Sequence, residues 1–448
     1  MPANFDFPHD FRFGVATASY QIEGAHDEDG RKPSVWDTFS RTPGKVHNGD
    51  TGDVACDHYH RFKEDIQIMK DLGVSMYRFS IAWPRVIPDG DGAVNPKGLD
   101  FYSRLVDGLL EAGITPYATC YHWDMPEATY QKHGGWHGRQ TAYDLARFAG
   151  VCAKALGDRV TNWMTINEFV CFTALSYGRG IHAPGERVDN QRLVQLIHHA
   201  LLGHGLSVDA IRANAPGKVN VGLAENPSNY MPVMETPEHI DAARKCFLAN
   251  NGGMLVPVLT GAYNPLWFEL QKVSPPTVEA GDMAQISKPL DFVALNIYSG
   301  AFARATANGG FETVDLPASY PTYNIGWLRH TPDCLYWTLR FVHELAKKPL
   351  FISENGCCAF DALNANGECL DVDRVEFLRA YLRAAQRATV DGVDLKGYFL
   401  WSLLDNYEWA EGYSKRFGIY YTDFKTLERK AKLSAKWYAQ VIRERRVL

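Results

Sequence analysis

Short apolar runs rich in β-branched and aromatic residues alternate along the chain with stretches of helical period. Strand-like runs fall at residues 11–17, 75–82, 115–121, 162–166, 218–224, 290–295, 350–352 and 395–400. Between and after them the pattern predicts helices over 57–72, 96–112, 142–156, 191–213, 237–249, 332–347, 373–389 and 434–445. Phe62, Ile66 and Met69 share one face of the first helix, and Leu335, Leu339 and Val342 one face of the sixth. Gly73, Gly113 and Gly157 stand where three of the helices should stop.

Repeated βα units imply parallel strands joined by right-handed crossovers. Eight of them predict a closed (β/α)8 barrel of the TIM type, with residues 1–448 as one domain. Alternation alone also permits an open doubly wound sheet. No Pro/Ser-rich linker or low-complexity tract divides the chain. A bare barrel needs about 250 residues. The excess must lie in long βα loops at 21–57, 169–190, 300–331 and 402–430, which are candidate walls of a pocket at the C-terminal rim.

Composition narrows the function classes. Hydrophobic residues at 46% and charged residues at 22% are those of an ordinary globular protein. A net charge of -6 offers no basic face to nucleic acid or an anionic membrane. No apolar run approaches the roughly 20 residues of a membrane span. Residues 1–10 lack a cationic segment followed by an apolar one, so no secretory signal is expected. The 9 cysteines are odd in number, scattered and without CxxC spacing, and read as reduced thiols of a cytoplasmic protein. His198, His199 and His204, and the pair His58 and His60, have no partner at metal-ligand spacing in the sequence, so neither a metal nor a cofactor is expected.

The chemistry-competent residues gather at the ends of the predicted strands. Gln21 follows the first and Arg78 lies on the second; His122 and Trp123 end the third, and Asn167 and Glu168 the fourth. Asn296 and Tyr298 end the sixth, Glu354 the seventh and Trp401 the eighth. In a barrel these ends share one rim. Glu354 sits where an apolar run opens into an Asn-Gly turn; taken alone it could equally be an ion-paired strand end. Two opposed carboxylates ringed by amide, imidazole and indole groups suit sugar hydrolysis, because hydroxyls need hydrogen bonds and a pyranose face needs a flat platform. Taken singly, His122 reads as well as a satisfied core histidine, Trp401 and Trp409 as ordinary core, and Trp83 and Trp123 as packing residues or as residues that back the site from behind.

Thr165-Ile166-Asn167-Glu168 and Ile352-Ser353-Glu354-Asn355-Gly356 resemble the T-x-N-E and I-[ST]-E-N-G segments of glycoside hydrolase family 1, the β-glucosidase family. Phe13-Gly14, Ser19 to Gly24, Tyr77 to Ser80, Tyr121 to Asp124, Asn296 to Tyr298, Glu408 to Tyr413 and Lys415 to Gly418 extend the resemblance over nearly the whole chain. It implies a retaining mechanism with Glu354 as nucleophile and Glu168 as acid/base, their carboxyls about 5–5.5 Å apart. Arg78, Asn296 and Tyr298 would support the nucleophile and keep it ionised. Gln21, His122, Asn167, Glu408 and Trp409 would bind the sugar over a Trp401 platform, and Trp327 would stack on the leaving group. Expected substrates are small β-glycosides or short oligosaccharides: β-glucosides such as cellobiose or aryl glucosides, with β-fucosides and β-galactosides also within reach.

One departure is conspicuous. Phe169 stands where the family usually has proline, which would stiffen the turn after the acid/base. A 6-phospho-β-glycosidase on the same scaffold is the nearest rival, but Glu408 would repel a phosphate. A catalytically silent sugar-binding relative would lack one of the two glutamates, and both are present.

Overall fold

The computed structural model of the chain describes residues 6–448. Eight parallel strands close into a barrel: β1 (Arg12–Ala16), β2 (Met76–Ser80), β3 (Thr115–Tyr121), β4 (Asn162–Asn167), β5 (Asn220–Glu225), β6 (Val293–Asn296), β7 (Leu350–Asn355) and β8 (Leu395–Trp401). Each pairs with the next, and β8 returns to β1, which rules out the open sheet. In this register Ala16 stands between Arg78 of β2 and Trp401 of β8, so side chains far apart in sequence emerge at one level of the rim.

A helix follows every strand: α1 (His58–Leu72), α2 (Pro96–Glu111), α3 (Gln140–Leu156), α4 (Asn190–Asn214), α5 (Pro237–Asn250), α6 (Asp333–Ala346), α7 (Val372–Val390) and α8 (Leu433–Glu444). Each begins and ends within two residues of its predicted bounds, because long amphipathic stripes fix a helix face unambiguously. Phe62, Ile66 and Met69 are buried against the barrel, as are Leu335, Leu339 and Val342. Gly73 ends α1 in the left-handed region at φ 82°, where a Cβ would be strained. Asn95 caps α2 by accepting from the main-chain N–H of Lys97.

Two expectations are corrected. The strand predicted at 290–295 begins only at Val293. β7 runs on through Asn355, so Glu354 lies within the strand and not where it opens into a loop. The Asn355 amide explains this, since it donates to the Ile297 carbonyl at 2.6 Å and accepts from Tyr398 Oη at 2.6 Å, locked inside the sheet instead of turning. The register against β6 also shifts between Ile352 and Glu354, an irregularity that re-aims the carboxylate at the barrel mouth.

The long loops are partly structured. Strands of 3 to 5 residues, Tyr230–Pro232, Ala301–Ala305 and Phe311–Val314, form a small sheet beside the rim. The last loop is pinned from beneath by buried charges: Lys432 Nζ lies 2.7 Å from Asp405 and 2.5 Å from Asp361, which in turn takes Arg374 at 2.7 Å. That anchorage fixes the segment carrying Glu408 and Trp409. Among the described residues no helix is long and apolar enough to cross a membrane.

Candidate active site

A cavity of about 640 Å³ opens at the C-terminal ends of the strands, walled by His122, Glu168, Glu354, Trp401, Glu408 and Trp409. Trp327 stands at its mouth, 50% exposed, edge-on to Tyr298 and nearly parallel to Phe417. The barrel thus brings together at one cavity the two glutamates that the sequence holds far apart.

Glu354 is buried, and both its oxygens are spoken for. Oε1 accepts from Arg78 Nη1 at 2.5 Å and Oε2 from the Tyr298 hydroxyl at 2.7 Å. Arg78 is itself oriented by Thr119 Oγ1 at 3.1 Å and Asn167 Oδ1 at 2.6 Å. Asn296 links the two acids' surroundings: Nδ2 donates to Glu168 Oε1 at 2.6 Å and to Asn167 Oδ1 at 3.0 Å, while Oδ1 accepts from Ser353 Oγ. Burial pushes Glu354 above the ordinary carboxylate range, against the opposing pull of Arg78 and the Tyr298 hydroxyl. The cation and the phenol moderate the rise without reversing it. Among the described residues no cation is in hydrogen-bonding contact with Glu168, whose carboxyl takes Asn296 and Cys171. Burial first, and the Glu354 charge second, push it up to about 7. The two carboxyls therefore sit in unlike environments, the Arg78 guanidinium and the Tyr298 hydroxyl bonding Glu354 alone.

The sugar-recognition candidates converge as well. Burial and the Arg78 charge hold His122 well below its ordinary value, so its ring is neutral. Its Nε2 meets the Asn167 amide at 3.1 Å, while its buried Nδ1 has no partner among the described residues. Gln21 Nε2 donates to the Tyr407 carbonyl at 2.9 Å, and its buried Oε1 likewise has no partner among the described residues. These two polar atoms, an acceptor on Gln21 and a donor on His122, are what sugar hydroxyls need. Gln21 and Asn167 stand just behind the wall, reaching it through Glu408 and His122. Burial and the two nearby carboxylates push Glu408 up to about 8. Trp401 and Trp409 each lie nearly parallel to the His122 ring, at 6.0 and 5.8 Å.

Trp83 is packing, as expected: it is fully buried and stacked on Phe148. Trp123 is not merely packing, for it lines the cavity and donates through Nε1 to the Asn167 carbonyl at 2.8 Å. The histidines read as non-metal do have carboxylate partners, supplied by the fold: His58 meets Asp65 and His198 meets Asp282. Among the described residues one group, Asp91, His133 and Asp144, has ligand atoms close enough to share an ion, away from the cavity and with Lys132 already paired to Asp91.

Sequence reasoning missed three residues. Cys171 Sγ donates to Glu168 Oε2 at 2.9 Å from the short helix Phe169–Phe172. His182, on the same long connection, lines the cavity beside Trp123. Glu225 ends β5, the one strand to which no site residue was assigned, and accepts the Phe169 main-chain N–H at 3.0 Å. The strand-end rule, applied to β5, reaches Glu225. Four-residue helical turns carry too little periodicity to reveal Cys171.

Comparison with known proteins agrees with this geometry. The sequence profile described as Glycosyl hydrolase family 1 matches residues 3–447. Beta-glucosidase A of Thermotoga maritima is 45% identical over 444 residues, covering 98% of both chains. A bifunctional beta-D-glucosidase/beta-D-fucosidase of Bifidobacterium breve is 43% identical, covering 97% of this chain and 98% of its own. The solved Thermotoga maritima beta-glucosidase in complex with glucoimidazole superposes with a TM-score of 0.89 at 44% identity, covering 98% of this chain and 99% of that one. With a closed barrel, two glutamates at one cavity and a full-length match, the chain belongs to glycosyl hydrolase family 1.

Proposed function

We propose that the protein is a retaining β-glucosidase that releases terminal β-D-glucosyl residues by double displacement, with residues 1–448 as one catalytic unit. Glu354 is the nucleophile: as a carboxylate aimed by Arg78 and Tyr298, it attacks the anomeric carbon and forms a glycosyl ester. Glu168 gives its proton to the departing oxygen. When the ester forms, the Glu354 charge that held the Glu168 proton disappears, so Glu168 becomes more acidic and serves as base toward water. His122 and Glu408 meet the sugar hydroxyls at the wall, Asn167 and Gln21 add to that binding from just behind it, Trp401 and Trp409 supply apolar faces, and Trp327 stacks on the leaving group.

The observation that carries this reading is the pair of environments: Glu168 raised to about 7, opposite a Glu354 bonded to a buried guanidinium. Cellobiose and aryl β-glucosides are the expected substrates. β-Fucosides come next, in keeping with the bifunctional relative, and β-galactosides after them. At Glu408 a 6-phosphate would meet a carboxyl where it needs a cation, which argues against a 6-phosphorylated sugar. A cytoplasmic setting fits the buried free thiols.

The test uses two variants. Glu354→Ala should abolish turnover, and azide should restore it as the α-glycosyl azide. Glu168→Ala should spare 2,4-dinitrophenyl β-glucoside, whose leaving group needs no proton, and azide should then give the β product. Equal collapse of Glu168→Ala on activated and unactivated substrates would remove Glu168 as the acid. A clear preference for 6-phosphorylated substrates in a nitrophenyl glycoside panel would reverse the substrate assignment.

A further inference from the structure

Glu168 adopts φ 50° and ψ 88°, a backbone conformation that non-glycine residues occupy only when their surroundings impose it. Two consecutive amide groups around its Cα are held by two consecutive residues of β5. The Glu168 N–H donates to the Ala224 carbonyl at 2.9 Å, and the Phe169 N–H donates to the Glu225 carboxyl at 3.0 Å. Phe169 and Glu225 are both buried.

The second bond answers the departure noted in the sequence. Proline after the catalytic glutamate would carry no N–H; Phe169 brings one into a place shielded from water, where it must be paired. The Ala224 carbonyl serves the Glu168 N–H, and the acceptor that the Phe169 N–H finds is the Glu225 carboxyl. Among the described residues no cation or other side-chain donor is in hydrogen-bonding contact with Glu225, so its contribution here is as acceptor.

We infer that Glu225 is a positioning residue for the acid/base, holding the Phe169 main-chain N–H and thereby the strained backbone from which the Glu168 carboxyl is aimed. This rests on the assignment of Glu168 as acid/base. A protonated or an ionised Glu225 carboxyl can accept that N–H, and so can the amide oxygen of glutamine.

The test compares Glu225→Gln, Glu225→Leu and Glu168→Gln in the full chain, with kcat/KM measured on cellobiose and on 2,4-dinitrophenyl β-glucoside. Glu225→Leu should lose roughly 10- to 100-fold on cellobiose, the size expected for a misplaced general acid. It should lose under about threefold on the dinitrophenyl substrate, which needs no protonation. Glu225→Gln should stay within about threefold of wild type on both, since it keeps the acceptor. Should Glu225→Leu fail to fold, Glu225→Gln and Glu225→Ser decide the matter, serine being too short to reach the N–H and expected to show the cellobiose-selective loss.

Equal losses on the two substrates, wild-type activity in Glu225→Leu, or loss in Glu225→Gln matching that in Glu225→Leu would each overturn the inference. Glu168→Gln separates failures of the two assignments. If it spares the dinitrophenyl substrate while the Glu225 variants show no selectivity, the positioning role falls and the acid/base role stands. If it collapses on both substrates, the acid/base assignment itself is wrong.

Discussion

Arg78 Nη1 lies 2.5 Å from Oε1 of Glu354, both side chains buried at the base of the cavity. Removing the cation from such a pair leaves an uncompensated buried anion, costing about 3–5 kcal/mol, unless the acid takes a proton instead. The Arg78 charge opposes the burial-driven rise of Glu354. Without it that carboxyl titrates at higher pH. Arg78→Met should therefore move the acidic limb of the kcat/KM profile upward and lower the thermal midpoint above that limb, where Glu354 is ionised. A pH–rate series with parallel calorimetry checks both.

With Glu168 at about 7, kcat/KM for cellobiose should fall as pH rises through that value, because the required proton is lost. The 2,4-dinitrophenyl substrate should show no such limb. The Cys171 thiol donates to the Glu168 carboxylate and pulls its pKa down. Cys171→Ala should therefore shift the alkaline limb upward, by roughly half to one pH unit if the bond is worth about 1 kcal/mol. Cys171→Ser should return it toward wild type.

Glu408 lies at about 8, so much of it is protonated near neutrality. Hydroxyl donors of a sugar favour the carboxylate form. Binding of an uncharged gluconolactam should thus release a proton, and affinity should rise with pH from 6 toward 8, at most about tenfold per unit. Calorimetry in two buffers of different ionisation enthalpy reads the proton directly. Glu408→Gln should bind more weakly and lose this pH dependence.

Trp327 is half exposed at the mouth, against Tyr298 and Phe417. An aromatic platform there is worth about 0.5–1.5 kcal/mol to a stacked ring. Trp327→Ala should raise KM for aryl β-glucosides by roughly 2- to 12-fold. Breakdown of the glycosyl-enzyme, which no longer holds the leaving group, should proceed at the wild-type rate. Pre-steady-state burst kinetics separate the two steps.

The barrel was readable because its elements are long and strongly patterned: α1 and α6 hide their stripes as drawn, and eight βα repeats leave few topologies. Glu168, Glu354 and Trp401 were legible as rim residues by their place near strand ends, and Arg78 by its place on the second strand. The short strands at 230–232 and 311–314 and the helix carrying Cys171 were not, because 3 or 4 residues hold too little period to separate strand, turn and helix.

The order of residues by itself determined the eightfold alternation, the excess of loop, and which side chains could do chemistry at one rim. Only the tertiary structure decided how those side chains differ in state. Glu168 and Glu354 are the same residue at equivalent strand ends, and what separates them is the guanidinium and phenol that β2 and the β6 end bring to one alone. Likewise the Phe169 amide meets its acceptor only because β5 lies beside β4 in the closed barrel. Charge and hydrogen-bond partners act over a few ångströms of space, and distance along the chain does not measure that.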